Sequence, residues 1–356
     1  MHRRTLLAAL GTGSTLLAGC AGRSSSDTGT GTPTETAGTD VSLPDGIYVQ
    51  PFRESMAMQG TRSAGDLRVA FMYTTPHEFW TLTGSELSKT PENGEIHGMA
   101  VVWDEGTGRV IPETGLSLEI THDGELVSQE VIYPMLSQRM GYHYGGNFGL
   151  GGDGEYTARI SVGAVPDAVA LTGGYEGQFR EPTTADIEFA FDDEQRERVE
   201  AQPLDTYDQP GAVRPMEMGM LPQATAPARD ALPGTVHGVP NSDDALLATG
   251  SLSGDAAARF GDTDAYLYVS ARSRYNGLVL PAMSLSATVT SDGSETYAGE
   301  LTRTLDPDLG YHYGTAVPAL ETGDEVTLSV GVPPQVARHE GYERAFLGMP
   351  DVTVTV

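Results

Sequence analysis

Gly141-Tyr142-His143-Tyr144-Gly145 returns letter for letter as Gly310-Tyr311-His312-Tyr313-Gly314, 169 positions further on, His312 against His143. The register holds around it. Val110-Ile-Pro112, Leu116-Ser117 and Asp123-Gly124 lie the same distance before Val279-Leu-Pro281, Leu285-Ser286 and Asp292-Gly293. Downstream, Gly174-Tyr175-Glu176 and Phe179 match Gly341-Tyr342-Glu343 and Phe346 at an offset of 167, which a two-residue deletion in a loop accounts for. Self-similarity over this length means two copies of one domain.

The 356 residues therefore divide into two domains plus tails, each long enough to bury its own core. Short β-branched and aromatic runs, Leu67–Tyr73, Gly98–Trp103, Leu116–Thr121, Glu155–Val162 and Asp186–Phe191, are punctuated by turns such as Asp123-Gly124 and Asp153-Gly154. That texture predicts an all-β protein of two tandem immunoglobulin-like β-sandwich domains, because each strand has one face to bury against a second sheet. The first sandwich is expected over 45–192 and the second over 213–356, joined by a linker at 193–212. Asp192 to Glu200 reads as one or two helical turns, and the Pro- and Ala-rich 201–235 as a linker or a strap on the second domain. The two copies are expected to fold independently.

Residues 1–20 carry Arg3-Arg4, an apolar run from Leu6 to Ala18 and the box Leu17-Ala18-Gly19-Cys20, which reads as a twin-arginine lipoprotein signal with lipid on Cys20. The Ser/Thr/Gly-rich 21–44 is a flexible tether. The expectation is a protein held by a lipid anchor at the cell surface, on the outer face of the cytoplasmic membrane. A net charge of −28, with Lys89 the only lysine, reads as adaptation to high salt, where repulsion between acids is screened. Such a surface has no basic patch for nucleic acid.

Catalytic signatures are lacking. Gly149-Leu-Gly151-Gly-Asp-Gly154 fits a dinucleotide pattern, but a strand rather than a helix follows it, and His77-Glu78 and His339-Glu340 do not continue into metalloprotease spacing. The chain does not read as an enzyme. What remains is a set of borderline and soft ligands: Met56, Met58, His77, His97, Met99, Met135, Met140 and His143, then Met216, Met218, Met220, His237, His312 and His339. Imidazole suits copper, zinc and iron, and thioether selects copper(I), so the set points to a transition metal ion, copper or iron. A lone histidine is commonly structural. In an extended Tyr-His-Tyr, however, the His143 ring faces away from both tyrosines, and His312 repeats the arrangement. His77, His97 and Met99 are further candidates; His122, in a hairpin turn, is expected to be solvated.

Tyr48-Val-Gln50-Pro51 with Met56 and Met58, then Pro134-Met135 ahead of Gly141–Gly145, then Gly152-Asp-Gly154-Glu-Tyr156-Thr157, resemble the periplasmic ferrous-iron transport proteins, also called the thirty-four-kilodalton membrane antigen family. The likeness covers most of 45–191 and extends more thinly over 215–356. It implies metal-binding sandwiches that serve iron uptake, a homodimer, and a metal permease as partner. It also implies ligands from a His-x-Glu on an early strand, a Met, the turn His and a late His. Met135 and His143 match the Met and the turn His. The His-x-Glu strand falls near Arg68-Val69-Ala70 and lacks both ligands. Leu171-Thr172 stand opposite Arg338-His339, so the first copy lacks the late His, while the second keeps His312 and His339 but has Thr304 for the Met. Neither copy holds the full site, and a metal would need His77 and His97 to replace the lost ligands. A second reading is a non-catalytic surface interaction module with a degenerate metal site.

Overall fold

Strands in this chain arise from period-two patterning. Along Gly154–Val162 the residues Tyr156, Ala158, Ile160 and Val162 are buried while their neighbours face solvent. The structure, a computed structural model, describes residues 46–356 except Met218 and Met220. Arg3-Arg4, Cys20 and the tether lie outside the described residues.

The first copy contributes β1 (Ala57–Ala64), β2 (Leu67–Thr74), β3 (Phe79–Thr83), β4 (Glu86–Thr90), β5 (Ile96–Asp104), β6 (Leu116–His122), β7 (Glu125–Glu130), β8 (Tyr133–Ser137), β9 (Gly141–Phe148), β10 (Gly154–Val162), β11 (Val169–Leu171) and β12 (Thr183–Phe191). The second contributes β13 (Thr235–Gly238), β14 (Ala245–Ser253), β15 (Ala265–Ser273), β16 (Ser284–Ser291), β17 (Ser294–Glu300), β18 (Thr302–Asp306), β19 (Gly310–Val317), β20 (Glu325–Val332), β21 (Ala337–Arg338) and β22 (Val352–Thr355). The fold is all-β, with two sandwiches. In the first, the sheet β1-β2-β5-β9-β8-β21-β3-β4 faces β12-β10-β6-β7; in the second, β11-β18-β19-β15-β14-β13 faces β17-β16-β20-β22. Phe71 and Tyr73 on β2 pack on Phe189 and Phe191 of β12, closing the first core. The hairpin turns use Asp123 and Gly124, then Asp292 and Gly293, all at positive φ, the conformation a tight two-residue turn requires.

The sheet orders contain an exchange. β21 belongs to the second copy by sequence but lies parallel to β8 in the first sandwich, Ala337 beside Met135 and Arg338 beside Leu136. Reciprocally, β11 of the first copy lies parallel to β18 of the second, Leu171 beside Leu305. Each sandwich is thus completed by a strand from the other copy, and the described residues form one compact unit. The strap is corrected. It pairs first with the front of the chain, Gln202 and Pro203 against Arg53 and Phe52, and only later with the second copy, where the Val279 N–H donates to Ala224 O. Asp193–Arg198 is the expected short helix, capped by the Asp192 carboxylate, which accepts from the Gln195 N–H. Among the described residues no helix is long and apolar enough to cross a membrane.

β5 and β9 are buried along their whole length. A strand buried on both faces needs a layer on each, and here the second layer is made by residues 50–56, 75–79 and 336–343. The candidate site lies beneath it.

Candidate metal centre

Gly141 takes φ of 72°, a left-handed conformation that costs glycine nothing, and from there β9 runs extended. Alternation then sends Tyr142 and Tyr144 to the sandwich interior, where their hydroxyls lie 3.0 Å apart, and sends His143 to the opposite face. Met135 sits directly across from His143 on β8, and His97 on β5 sits across from Asn147. His77 comes from the segment between β2 and β3, Glu54 from the chain ahead of β1, and His339 from the residue after β21.

Four imidazoles converge: ring centroids are 4.1 Å apart for His77 and His97, 4.7 Å for His77 and His339, and 5.1 Å for His143 and His339. The ligand atoms of His77, His97 and His339 all lie within 4.8 Å of one another. The Glu54 carboxylate stands 3.7 Å from both His77 Nε2 and His339 Nδ1. Gly145 carries no side chain where one would collide. A Cβ there would lie 2.7 Å from His97 Nε2 and 2.8 Å from Met135 Sδ, so the missing side chain is what admits both donors to one spot.

The hydrogen bonds set the tautomers. His77 Nδ1–H donates to Thr75 O at 3.1 Å, His143 Nδ1–H to Gly141 O at 3.0 Å and His97 Nδ1–H to Asn147 Oδ1 at 2.8 Å. His77 Nε2 is thereby an acceptor, and His339 Nδ1–H donates to it at 3.0 Å. Asn147 also donates through Nδ2 to His77 O, tying two of the four together. The Nε2 atoms of His97, His143 and His339 are left buried, bare of protons and without a partner among the described residues. Each buried unpaired group costs on the order of 1–3 kcal/mol, and here the three sit on neighbouring rings, His97 and His143 each packing against His339 at 5.5 and 5.1 Å, an arrangement that fits a ligand site better than core packing. Outward-facing Nδ1–H donors that fix the inward lone pair are the arrangement metal-binding histidines use.

Burial pushes His77 and His97 below the ordinary imidazole range, the latter well below, and takes His143 down to about 3. These rings are therefore neutral at pH 7, the form that ligates. Burial alone would raise Glu54, but His77 and His339 beside it hold its carboxyl at about 2, so it is charged. A cavity of about 280 Å³ opens onto this face, with Glu54 and His77 on its wall and Glu78, Glu92 and Glu340 around it. Burial, then Glu343 and Glu78, raise Glu340 to about 7. A carboxylate-lined opening concentrates cations at the centre.

The structure thus brings together His77, His97, His143, His339 and Met135. Met99 shares the face of β5 with His97 and lies directly opposite Gly145. Arg68-Val69-Ala70 lies on β2 and lends nothing; the histidine on the strand next to β9 is His97. The missing late histidine of the first copy is supplied by the second. Glu54 was not anticipated: no periodicity marks it, and only its place between Gln50 and Met56 hinted at it.

His312 does not join them. Its Nδ1–H donates to Gly310 O, as in the first copy, but its Nε2 is 3.0 Å from the hydroxyl of Tyr266, which stands where His97 stands in the first copy. Thr304 pairs with His312 as Met135 pairs with His143, and Thr172, opposite His339 in the repeat, bonds to Asp306. Expected as a ligand, His312 is a satisfied core histidine: a hydroxyl has taken the lone pair a metal would need.

A family model described as a domain of unknown function, DUF7350, matches residues 230–355. No curated protein matches the chain. Among solved structures, a copper-bound variant of FetP from uropathogenic Escherichia coli is a distant match at 19% identity and TM-score 0.32, covering 38% of this chain and 97% of that one. FetP of the same organism, "as isolated" after recombinant expression in the periplasm, matches at 20% identity and TM-score 0.30 over 38% and 95% of the two chains.

Proposed function

We propose that the protein is a non-catalytic, lipid-anchored surface protein that captures a transition metal ion, copper or iron, as cargo for uptake. The observation that carries this reading is a buried cluster in which ligand atoms of His77, His97 and His339 lie within 4.8 Å of one another and the Nε2 atoms of His97, His143 and His339 have no partner among the described residues, beside a thioether and a charged carboxylate. Nitrogen donors with one sulfur fit borderline ions; magnesium and calcium ask for oxygen alone. Met135 inclines the set toward copper. The anchor rests on Arg3-Arg4 and Cys20, and delivery to a permease and pairing as a homodimer belong to the same proposal. The second sandwich supports the interaction-module reading for its own half, since Tyr266 has closed the equivalent position.

Titration with copper(II) and iron(II) in molar salt, against excess magnesium, tests this. One saturable, roughly one-to-one component per chain is expected. It should vanish in His143→Ala and persist in His312→Ala. Identical binding by the wild type and a His143→Ala, His339→Ala double variant would sink the reading.

A further inference from the structure

We propose a second site on the same sheet face, built of methionine thioethers, that takes copper(I). Met58 on β1 pairs with Met72 on β2, Met72 with Met99 on β5, and Met99 with Gly145 on β9, a single row across four strands. All of them face the side of the metal centre, because Phe71 and Tyr73, which flank Met72, pack into the sandwich interior. The inner end of the row is Gly145, beneath His97 Nε2 and Met135 Sδ. The outer end is open: Met58 is 42% exposed and, with Met56, Met72 and Met216, lines a groove of about 390 Å³.

Directly opposed residues in a sheet hold their Cβ atoms about 4.5–5.5 Å apart, well within the span of two flexible methionine side chains, so the sulfurs can close on one ion. The chain has 12 methionines, and four of them line one groove that runs from Met72, buried in the core, out to exposed Met58. Thioethers select soft ions, and the groove lining holds just one carboxylate, Glu217, which excludes the oxygen-rich shells that magnesium or calcium needs. Where the row leads rests on the centre being a metal site; the groove is tested by itself.

The full chain, labelled with ¹³C at the methionine methyls, is titrated anaerobically in nitrate salt with copper(I) held by a competing chelator. In the His143→Ala, His339→Ala background, one equivalent should still bind and shift the methyls of Met56, Met58, Met72 and Met216. Substituting Met58→Leu, Met72→Leu and Met216→Leu together conserves volume, and should weaken that equivalent more than tenfold while zinc(II) still binds the histidine centre as in wild type. Methyl resonances that stay fixed, or a triple variant with unchanged copper(I) affinity, would overturn the proposal. If instead zinc(II) and copper(II) fail to bind the wild type while copper(I) moves these methyls, the histidine centre is refuted and the thioether site stands.

Discussion

His339 Nδ1 stands 3.0 Å from His77 Nε2, although 262 residues separate them along the chain. The second copy of the repeat thus supplies a histidine to the cluster of the first. Because β21 carries His339 into the first sandwich beside Met135, the strand exchange and the metal centre are one structural feature. His339→Ala should therefore lower metal affinity by more than the roughly 10–100-fold that loss of an outer partner costs. Competition against a chromophoric chelator measures it, and an unchanged affinity would show that the first copy binds metal without the second.

Cutting the chain between 200 and 212 should leave both halves incomplete, the first lacking β21 and the second β11. The fragment ending near 212 should show no saturable metal component, and mixing the halves should restore it together with a cooperative thermal transition. A first fragment that binds like the whole chain would show the exchange to be dispensable.

Gly145→Ala puts a methyl group where His97 Nε2 and Met135 Sδ now lie. Both donors must retreat, so affinity should drop at least about tenfold, the lower range seen when ligand orientation is disturbed. The methyl cannot fit without this shift. Isothermal titration is the measurement, and wild-type affinity in the variant would mean those two atoms do not meet on one ion.

Burial lowers His312 to about 4 and His143 to about 3, against about 6.5 in an unfolded chain. Below 6.5 the unfolded state binds protons the folded state refuses, so stability is fully present above 6.5 and is lost as pH falls toward 4 and then 3. Thermal midpoints taken across that range in constant high salt should decline. His312→Phe, which cannot titrate, should flatten the slope; an unaltered slope would place the acid sensitivity elsewhere.

Arg338 is fully buried and donates to the carbonyls of Pro334, Val336, Tyr342 and Ala345. It clamps the loop that presents His339. Arg338→Leu leaves those carbonyls unpaired at about 1–3 kcal/mol for a buried group so stranded, so a loss of roughly 3 kcal/mol is expected by denaturant unfolding, with weaker metal binding. A loss under about 0.5 kcal/mol would mean the loop is held by something else.

The sequence by itself determined the all-β class, the hairpin at Asp123-Gly124 and the outward turn of His143 between two inward tyrosines. These follow from alternation and turn chemistry, which act between residues close in sequence. It also singled out His77, His97, Met135, His143 and His339 as candidate ligands, without showing that they meet. Tertiary structure alone decided that β11 and β21 change places, that Glu54 lies beside His77 and His339, and that His312 is closed off by the hydroxyl of Tyr266. Two copies of one pattern present equivalent sheet edges, so the pattern is satisfied whichever copy's strand fills each edge. The choice is made by packing across more than a hundred residues, which no local period records.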